Sequence, residues 1–342
     1  GVTFGSTVGN GVNITSLDTT GTTGNITLTG NLDSDGTVLF NGPVLLAADA
    51  TITTSDDLVT FSSTLNNAQN LVVTTGSGGV TFTGIVGGST PLTSILTTGT
   101  TGTITLGANV NTTGAQTYVG PVSFNSDIAL NVTGGTDSDD VSFGDTVTST
   151  ADSLDINVAG SGDVTFGDGS GTDTVSGINA LTVDGNAITV NTPVSATSIV
   201  FQGANSSGDQ LTIASGGSLS ATGLVTIGAA NDTTEIETIG LSGNITSDSD
   251  SSGNENLQIL SNFAGSAVAT FATSGVVLNA GTGAISASNA DFAAGSNNPS
   301  FLSDGGVSWN ALTATGGTLT LAPNTANTAL NLGTGGGAYN LN

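Results

Sequence analysis

Carboxylates are the only charged side chains in this sequence. Its 342 residues include 26 Asp and Glu but no Lys, Arg, His or Cys. A Ser-His or Cys-His nucleophile needs a base that is absent here, and nucleic-acid binding needs cationic side chains to neutralise phosphates. The chemistry that remains is acid–base catalysis by carboxylates or the binding of a cation by oxygen ligands.

The strongest calcium-like pattern is Asp248-Ser249-Asp250-Ser251-Ser252-Gly253. It has acids at positions one and three and glycine at position six, as in the first half of an oxygen-ligand loop. Asp248, Asp250 and Ser252 are therefore candidate ligands. Position twelve is Ile259 instead of a bidentate glutamate, so the pattern covers only half of that loop.

Two further segments are candidates for calcium. The segment 169–175 fits one copy of a glycine-rich nonapeptide of the β-roll type, in which Asp173 would be the ligand. A third acidic turn contributes Asp137 and Asp139. Turns rich in Gly, Asp and Ser also occur simply as solvated turns, and that interpretation stays open for all three. Like charges on stacked turns would repel one another, so we expect divalent cations or salt to stabilise the fold or its assembly.

A glycosidase built from two acids is the remaining catalytic hypothesis. Asp139 with Asp140, or Asp56 with Asp57, could be nominated as the pair. Adjacent residues of a strand point to opposite faces, however, so neighbours in sequence would not face one substrate. We expect a protein that is not an enzyme.

Short alternating segments dominate the chain. Val80–Phe82, Leu154–Val158 and Leu211–Ile213 alternate apolar with polar residues, and Gly, Asn, Asp and Ser separate such segments every few residues. Short strands with tight turns predict an all-β fold, a parallel β-helix (β-solenoid) with stacked short-strand coils. Coils of about 20 residues would give about 15 to 17 coils. A string of β-sandwiches is the competing fold, but it requires longer strands.

An internal repeat organises the first half of the sequence. The tripeptide Val-Thr-Phe occurs at Val2–Phe4, at Val80–Phe82 and at Val164–Phe166. We therefore predict two β-solenoid repeats of about 80 residues over 1–163. A degenerate continuation is predicted over 164–260, and an Ala/Gly-rich C-terminal section or cap over 261–342.

The segment 112–124, with the Thr-Thr-Gly and Ile-Thr-Leu words that precede it, resembles the β-strand repeats of giant bacterial exoproteins. These are the filamentous-haemagglutinin-like and autotransporter-passenger-like proteins. The resemblance covers about residues 12–166 and implies a right-handed parallel β-helix displayed outside a bacterial cell. It further implies a role in adhesion, aggregation or a surface fibre.

Together these features predict a secreted structural protein that self-associates end to end into an extracellular filament, sheath or surface layer. The alternative is a cation-dependent, glycan-binding adhesin module, with polysaccharide as partner and Ca²⁺ as cofactor. The longest purely apolar stretch is Val44–Ala48, so we expect no membrane insertion. Since the first residue is Gly1, we expect a processed or excerpted piece of a longer precursor.

Overall fold

The computed structural model describes residues 1–204, 208–228, 236–260, 267–288, 290–309, 311–314 and 316–325. Every strand pairing in them is parallel. The chain forms a β-solenoid of about 13 turns, which confirms the predicted fold class and excludes antiparallel sandwiches. It divides into two compact units, Gly1–Asp168 and Gly169–Asn342.

Unit 1 is built from short strands separated by turns of a few residues. Its strands are β1 (Val2–Phe4), β2 (Leu17–Asp18), β3 (Ile26–Leu28), β4 (Leu32–Ser34), β5 (Val38–Phe40), β6 (Val44–Leu46), β7 (Ala50–Thr54), β8 (Val59–Phe61), β9 (Leu65–Asn66), β10 (Asn70–Thr74), β11 (Val80–Phe82), β12 (Ser94–Thr97), β13 (Ile104–Leu106), β14 (Val110–Thr112), β15 (Gln116–Tyr118), β16 (Val122–Phe124), β17 (Ile128–Val132), β18 (Val141–Phe143), β19 (Val147–Ser149), β20 (Leu154–Val158) and β21 (Val164–Phe166).

Unit 2 continues with the same parallel pairing and includes two longer strands. Its strands are β22 (Val175–Asp184), β23 (Ala187–Val190), β24 (Pro193–Gln202), β25 (Gln210–Ile213), β26 (Ser218–Ala221), β27 (Val225–Ile227), β28 (Thr238–Leu241), β29 (Ile245–Thr246), β30 (Leu257–Leu260), β31 (Ala267–Phe271), β32 (Val277–Asn279), β33 (Ile285–Ser288), β34 (Ala290–Gly295), β35 (Ser300–Leu302), β36 (Val307–Ser308), β37 (Ala311–Ala314) and β38 (Thr320–Ala322).

Each turn of unit 1 has three sides, because the chain visits three sheets in rotation. Sheet 1 contains β4, β7, β10, β12, β15, β18 and β21, sheet 2 contains β2, β5, β8, β11, β13, β16 and β19, and sheet 3 contains β1, β3, β6, β9, β14, β17 and β20. In unit 2, sheet 4 contains β23, β25, β28, β31, β34 and β37. Sheet 5 contains β26, β29, β32, β35 and β38 with the first halves of β22 and β24.

The solenoid has fewer turns than the sequence suggested because most of its coils are longer than predicted. The length of a coil also varies. In sheet 2, Val80 pairs with Val59, whereas Val147 pairs with the more distant Val122. Coils are longer still in sheet 4, where Ile239 pairs with Ala269. The extra residues are in the turns, where they leave the strand register unchanged.

The core is a stack of inward-facing apolar side chains. Most three-residue strands of unit 1 bury their first and third residues and leave the middle one half-buried, as in β8 and β11. Phe40, Phe61 and Phe82 stack with ring centroids 5.0 and 5.1 Å apart. Such aromatic pairs add about 0.5–1.5 kcal/mol each beyond the burial of area.

The sequence repeat is not in phase with the coil. Val2–Phe4 is in sheet 3, Val80–Phe82 is in sheet 2 and Val164–Phe166 is in sheet 1. One repeat is therefore not a whole number of turns, and each copy begins on a different side of the coil. Val80–Phe82 pairs in register with Ile104–Leu106 on one side and with Val59–Phe61 on the other, and Val59–Phe61 carries the same three residues.

Candidate functional site

Asp248 lies in the turn after β29, and its carboxylate is held by the protein itself. The residue is 1% exposed. Its Oδ2 accepts hydrogen bonds from the Thr282 backbone N–H at 2.8 Å and from Thr282 Oγ1 at 2.5 Å, and its Oδ1 accepts one from the Gly253 N–H at 3.4 Å. Burial would raise the pKa of Asp248, but these hydrogen bonds outweigh it and hold the pKa below its ordinary value.

The other two residues of this candidate loop lie at the surface. Asp250 and Ser252 are exposed, and Asp250 Oδ1 accepts a hydrogen bond from the Ser252 backbone N–H at 3.1 Å. The Asp248 carboxylate is instead directed to Thr282 on the following turn. The structure therefore gives Asp248 a structural role that joins two turns, and the calcium assignment stays a prediction.

Asp137 and Asp139 belong to an acidic turn between β17 and β18. Asp139 Oδ2 accepts hydrogen bonds from the Thr136 N–H at 2.8 Å and from Thr136 Oγ1 at 2.7 Å, while Asp137 is exposed. Asp140 Oδ1 accepts one from the Asp163 N–H at 2.9 Å. Burial raises the pKa of Asp140, and the neighbouring carboxylates of Asp163, Asp137 and Asp139 raise it further.

Asp173 lines a cleft of about 340 Å³ on unit 2. Its backbone carbonyl accepts a hydrogen bond from Thr192 Oγ1. The other residues around the cleft are neutral: Gly169, Ser170, Gly171, Thr172, Thr174, Asn191, Thr192, Pro193 and Gly216. Across the parts of the chain that the structure describes, no group of three or more Asp and Glu is arranged to hold a metal ion.

Sequence reasoning missed the recurring role of Asp and Asn in the turns. A side-chain oxygen in one coil accepts a hydrogen bond from a backbone N–H in the next coil, at 2.6–2.9 Å. We name these contacts inter-turn Asx bonds. The acceptors and their donors are Asn31–Thr51, Asp49–Asn70, Asp56–Ser77, Asn66–Ser89, Asn109–Ala129, Asp127–Ser153, Asp140–Asp163, Asn244–Val277, Asp248–Thr282, Asn256–Ala284, Asn298–Thr318 and Asp304–Thr325.

These bonds accommodate six of the 26 carboxylates of a chain without cationic side chains, namely Asp49, Asp56, Asp127, Asp140, Asp248 and Asp304. In each bond a carboxylate or amide oxygen accepts from a backbone N–H, as the side-chain oxygen of an N-cap residue does at the start of a helix. Each bond also links two successive coils. Of the twelve bonds, only Asp140–Asp163 brings two acidic residues into contact. Among these twelve bonds, the contact between like charges that we expected on stacked turns therefore occurs only between Asp140 and Asp163. The sequence signal that could have predicted these bonds is an Asp or Asn that lies about one coil before a turn.

The nominated acid pairs also have structural partners. Asp56 Oδ1 accepts hydrogen bonds from the Ser77 N–H at 2.9 Å and from Ser77 Oγ at 3.2 Å. Asp139 and Asp140 bond to different segments, Thr136 and Asp163. These partners give Asp56, Asp139 and Asp140 structural contacts, and the absence of enzyme activity stays a prediction.

Comparison with protein-family models, with curated proteins and with solved structures found no match. The β-helix repeat architecture is shown by the fold itself. Membership of the exoprotein families is an inference from sequence resemblance. None of the described segments forms a helix of the length and apolarity needed to cross a membrane.

Proposed function

We propose that this chain is a secreted structural protein that associates end to end into an extracellular filament, sheath or surface layer. The observation that carries the proposal is that neighbouring strands of one sheet, which we call rungs, can have the same sequence. β8 and β11 carry identical Val-Thr-Phe residues and pair in register, Val on Val and Phe on Phe. A rung with that sequence can therefore pair with another rung of the same kind.

The first strand of the described chain is a rung of this kind. β1 is again Val-Thr-Phe and pairs with β3 on one side. The Val2 N–H and the Phe4 C=O bond to that neighbour. In a parallel ladder alternate residues bond to opposite sides, so the backbone groups of Thr3 point away from β3. The sequence has no Lys to protect any strand edge.

The charge distribution favours this contact over side-by-side association. A net charge of −26 with no cation opposes the approach of two outer surfaces. The strand edge of β1 carries no charged residue. Head-to-tail contacts between different surfaces do not close on themselves unless a rotation closes a ring, so they extend into fibres. A solenoid without cysteine or basic residues is also suited to the outside of a cell.

The test is negative-stain electron microscopy of the wild type and of Thr3→Pro, with Thr3→Ala as the matched control. Proline removes only the N–H that faces away from β3, so the internal ladder is retained. We expect filaments or sheets from wild type and Thr3→Ala, and isolated particles from Thr3→Pro. Circular dichroism checks that all three are folded. Isolated wild-type particles, or unchanged filaments from Thr3→Pro, would contradict end-to-end pairing.

A further inference from the structure

The cleft on unit 2 crosses three successive rungs. It is lined by residues 169–174 before β22, by Asn191 and Thr192 between β23 and β24 with Pro193 at the start of β24, and by Gly216 between β25 and β26. β22, β24 and β26 are neighbours in sheet 5. Rungs are about 4.8 Å apart, so the cleft extends for about 10 Å along the sheet.

One hydroxyl–carbonyl hydrogen bond and two glycines fix the shape of this cleft. The Thr192 hydroxyl, on a residue only 5% exposed, donates to the Asp173 carbonyl and ties the first two walls together. Gly169 adopts a left-handed φ of 80° and has open space where a side chain would begin. A Cβ atom on Gly216 would lie 2.8 Å from the Asn191 carbonyl oxygen, so glycine lets these turns approach. The cleft is therefore largely pre-formed, as small-molecule sites usually are.

Apart from Asp173, the lining residues are neutral, and their polar groups suit a hydroxyl-rich ligand. Ser170 and Thr172 are exposed hydroxyls on the rim, and Asn191 adds an amide to the next rung. These groups both donate and accept hydrogen bonds, as sugar hydroxyls do. Uronates, sulfated glycans and phosphorylated ligands are disfavoured, because the protein carries a charge of −26 and has no cation to pair with them.

We propose that this cleft binds a short stretch of neutral polysaccharide, about two sugar rings long. The hydroxyls of Ser170 and Thr172 and the Asn191 amide contact the sugar hydroxyls. The Thr192–Asp173 bond keeps the two walls at a fixed separation. This site goes beyond end-to-end assembly, since it lies on the side of the coil and leaves the strand edges free.

Isothermal titration calorimetry with cellopentaose and with N-acetyl-chitopentaose tests the proposal, with oligogalacturonate as the charged comparison. We expect millimolar or tighter binding of at least one neutral oligosaccharide and none of oligogalacturonate. Thr172→Val keeps the shape but loses one neutral hydrogen bond, which weakens affinity about threefold to tenfold. Thr238→Val is the matched control, because Thr238 is exposed on β28 and outside the cleft.

Three results would overturn the site: no binding of either neutral oligosaccharide, equal affinity in Thr172→Val and Thr238→Val, or binding of Ca²⁺ alone that Asp173→Asn abolishes. Repeating the titration on the Thr3→Pro variant separates the two proposals. Sugar binding that persists in isolated particles supports the cleft whether or not filaments form. Loss of binding only when assembly is lost would place the sugar at a contact between copies and overturn the cleft.

Discussion

Replacing Asp248 by Asn distinguishes a structural carboxylate from a calcium ligand. The side chain is buried and accepts hydrogen bonds from the Thr282 N–H, Thr282 Oγ1 and the Gly253 N–H. Asn has nearly the same shape but only one acceptor oxygen, and its amide group is a donor. In the variant the acceptor is no longer charged. At one of the two oxygen positions the Asn NH2 group would face another hydrogen-bond donor.

The size of the effect follows from these contacts. Hydrogen bonds to a charged group contribute about 1.5–3 kcal/mol, and an unsatisfied buried donor costs about 1–3 kcal/mol. We expect Asp248→Asn to lower the free energy of unfolding by about 2–4 kcal/mol. Asp250→Asn is the matched control: Asp250 is exposed, so the loss should be within about 0.5 kcal/mol.

Urea denaturation followed by tryptophan fluorescence measures the free energy of unfolding in unit 2, which contains Asp248. Trp309 is the only tryptophan in the sequence and packs against Phe292 and Phe301 in unit 2. The loss in Asp248→Asn should be the same in EDTA and in millimolar calcium. Equal stability of the two variants would refute the structural role. A calcium-dependent gain in the wild type that vanishes in Asp248→Asn would show that this carboxylate binds metal.

Three further predictions concern unit 1. Asn70 lowers the pKa of Asp49 through its backbone and side-chain hydrogen bonds, so this contribution to stability is present above pH about 4 and is lost on acidification. Acid titration of Asp49→Asn should therefore show a smaller loss than the wild type. Burial raises the pKa of Tyr118, so its contribution is present below pH about 10 and is lost at higher pH. Tyr118→Phe should remove that alkaline loss, yet cost about 1–3 kcal/mol in neutral urea denaturation because Gln116 Oε1 loses its donor. Phe61→Leu should lower the thermal midpoint by breaking two ring stacks, a loss of about 1–3 kcal/mol.

Much of the local structure could be predicted from the residues. Alternation at Val80–Phe82 and at Leu154–Val158 predicted strands, and both segments are strands with alternate residues buried. The reason is that a period of two is itself the geometry of a strand with one face inside. Glycine, Asn and Asp between such segments correctly predicted the turns.

The candidate sites were less predictable, because they depend on which turns become neighbours. Asp248 and Asp250 are close in sequence, yet the partner of Asp248 is Thr282, on the following turn. Asp127 likewise bonds to Ser153. Coil lengths vary with inserted turn residues, so no fixed spacing reveals these partners. A motif read along the chain therefore does not reveal the hydrogen-bond partner of Asp248, and its calcium assignment stays a prediction.

The sequence by itself determined the strands, the turns, the parallel β-solenoid and the absence of cationic chemistry, since each depends on residue type and short-range alternation. The tertiary structure alone decided the phase of the repeat, which places Val2–Phe4 and Val80–Phe82 in different sheets. It also decided the inter-turn Asx bonds and the cleft beside Asp173. These features depend on how many residues each coil takes to return to the same side, and that number emerges only when the coils stack.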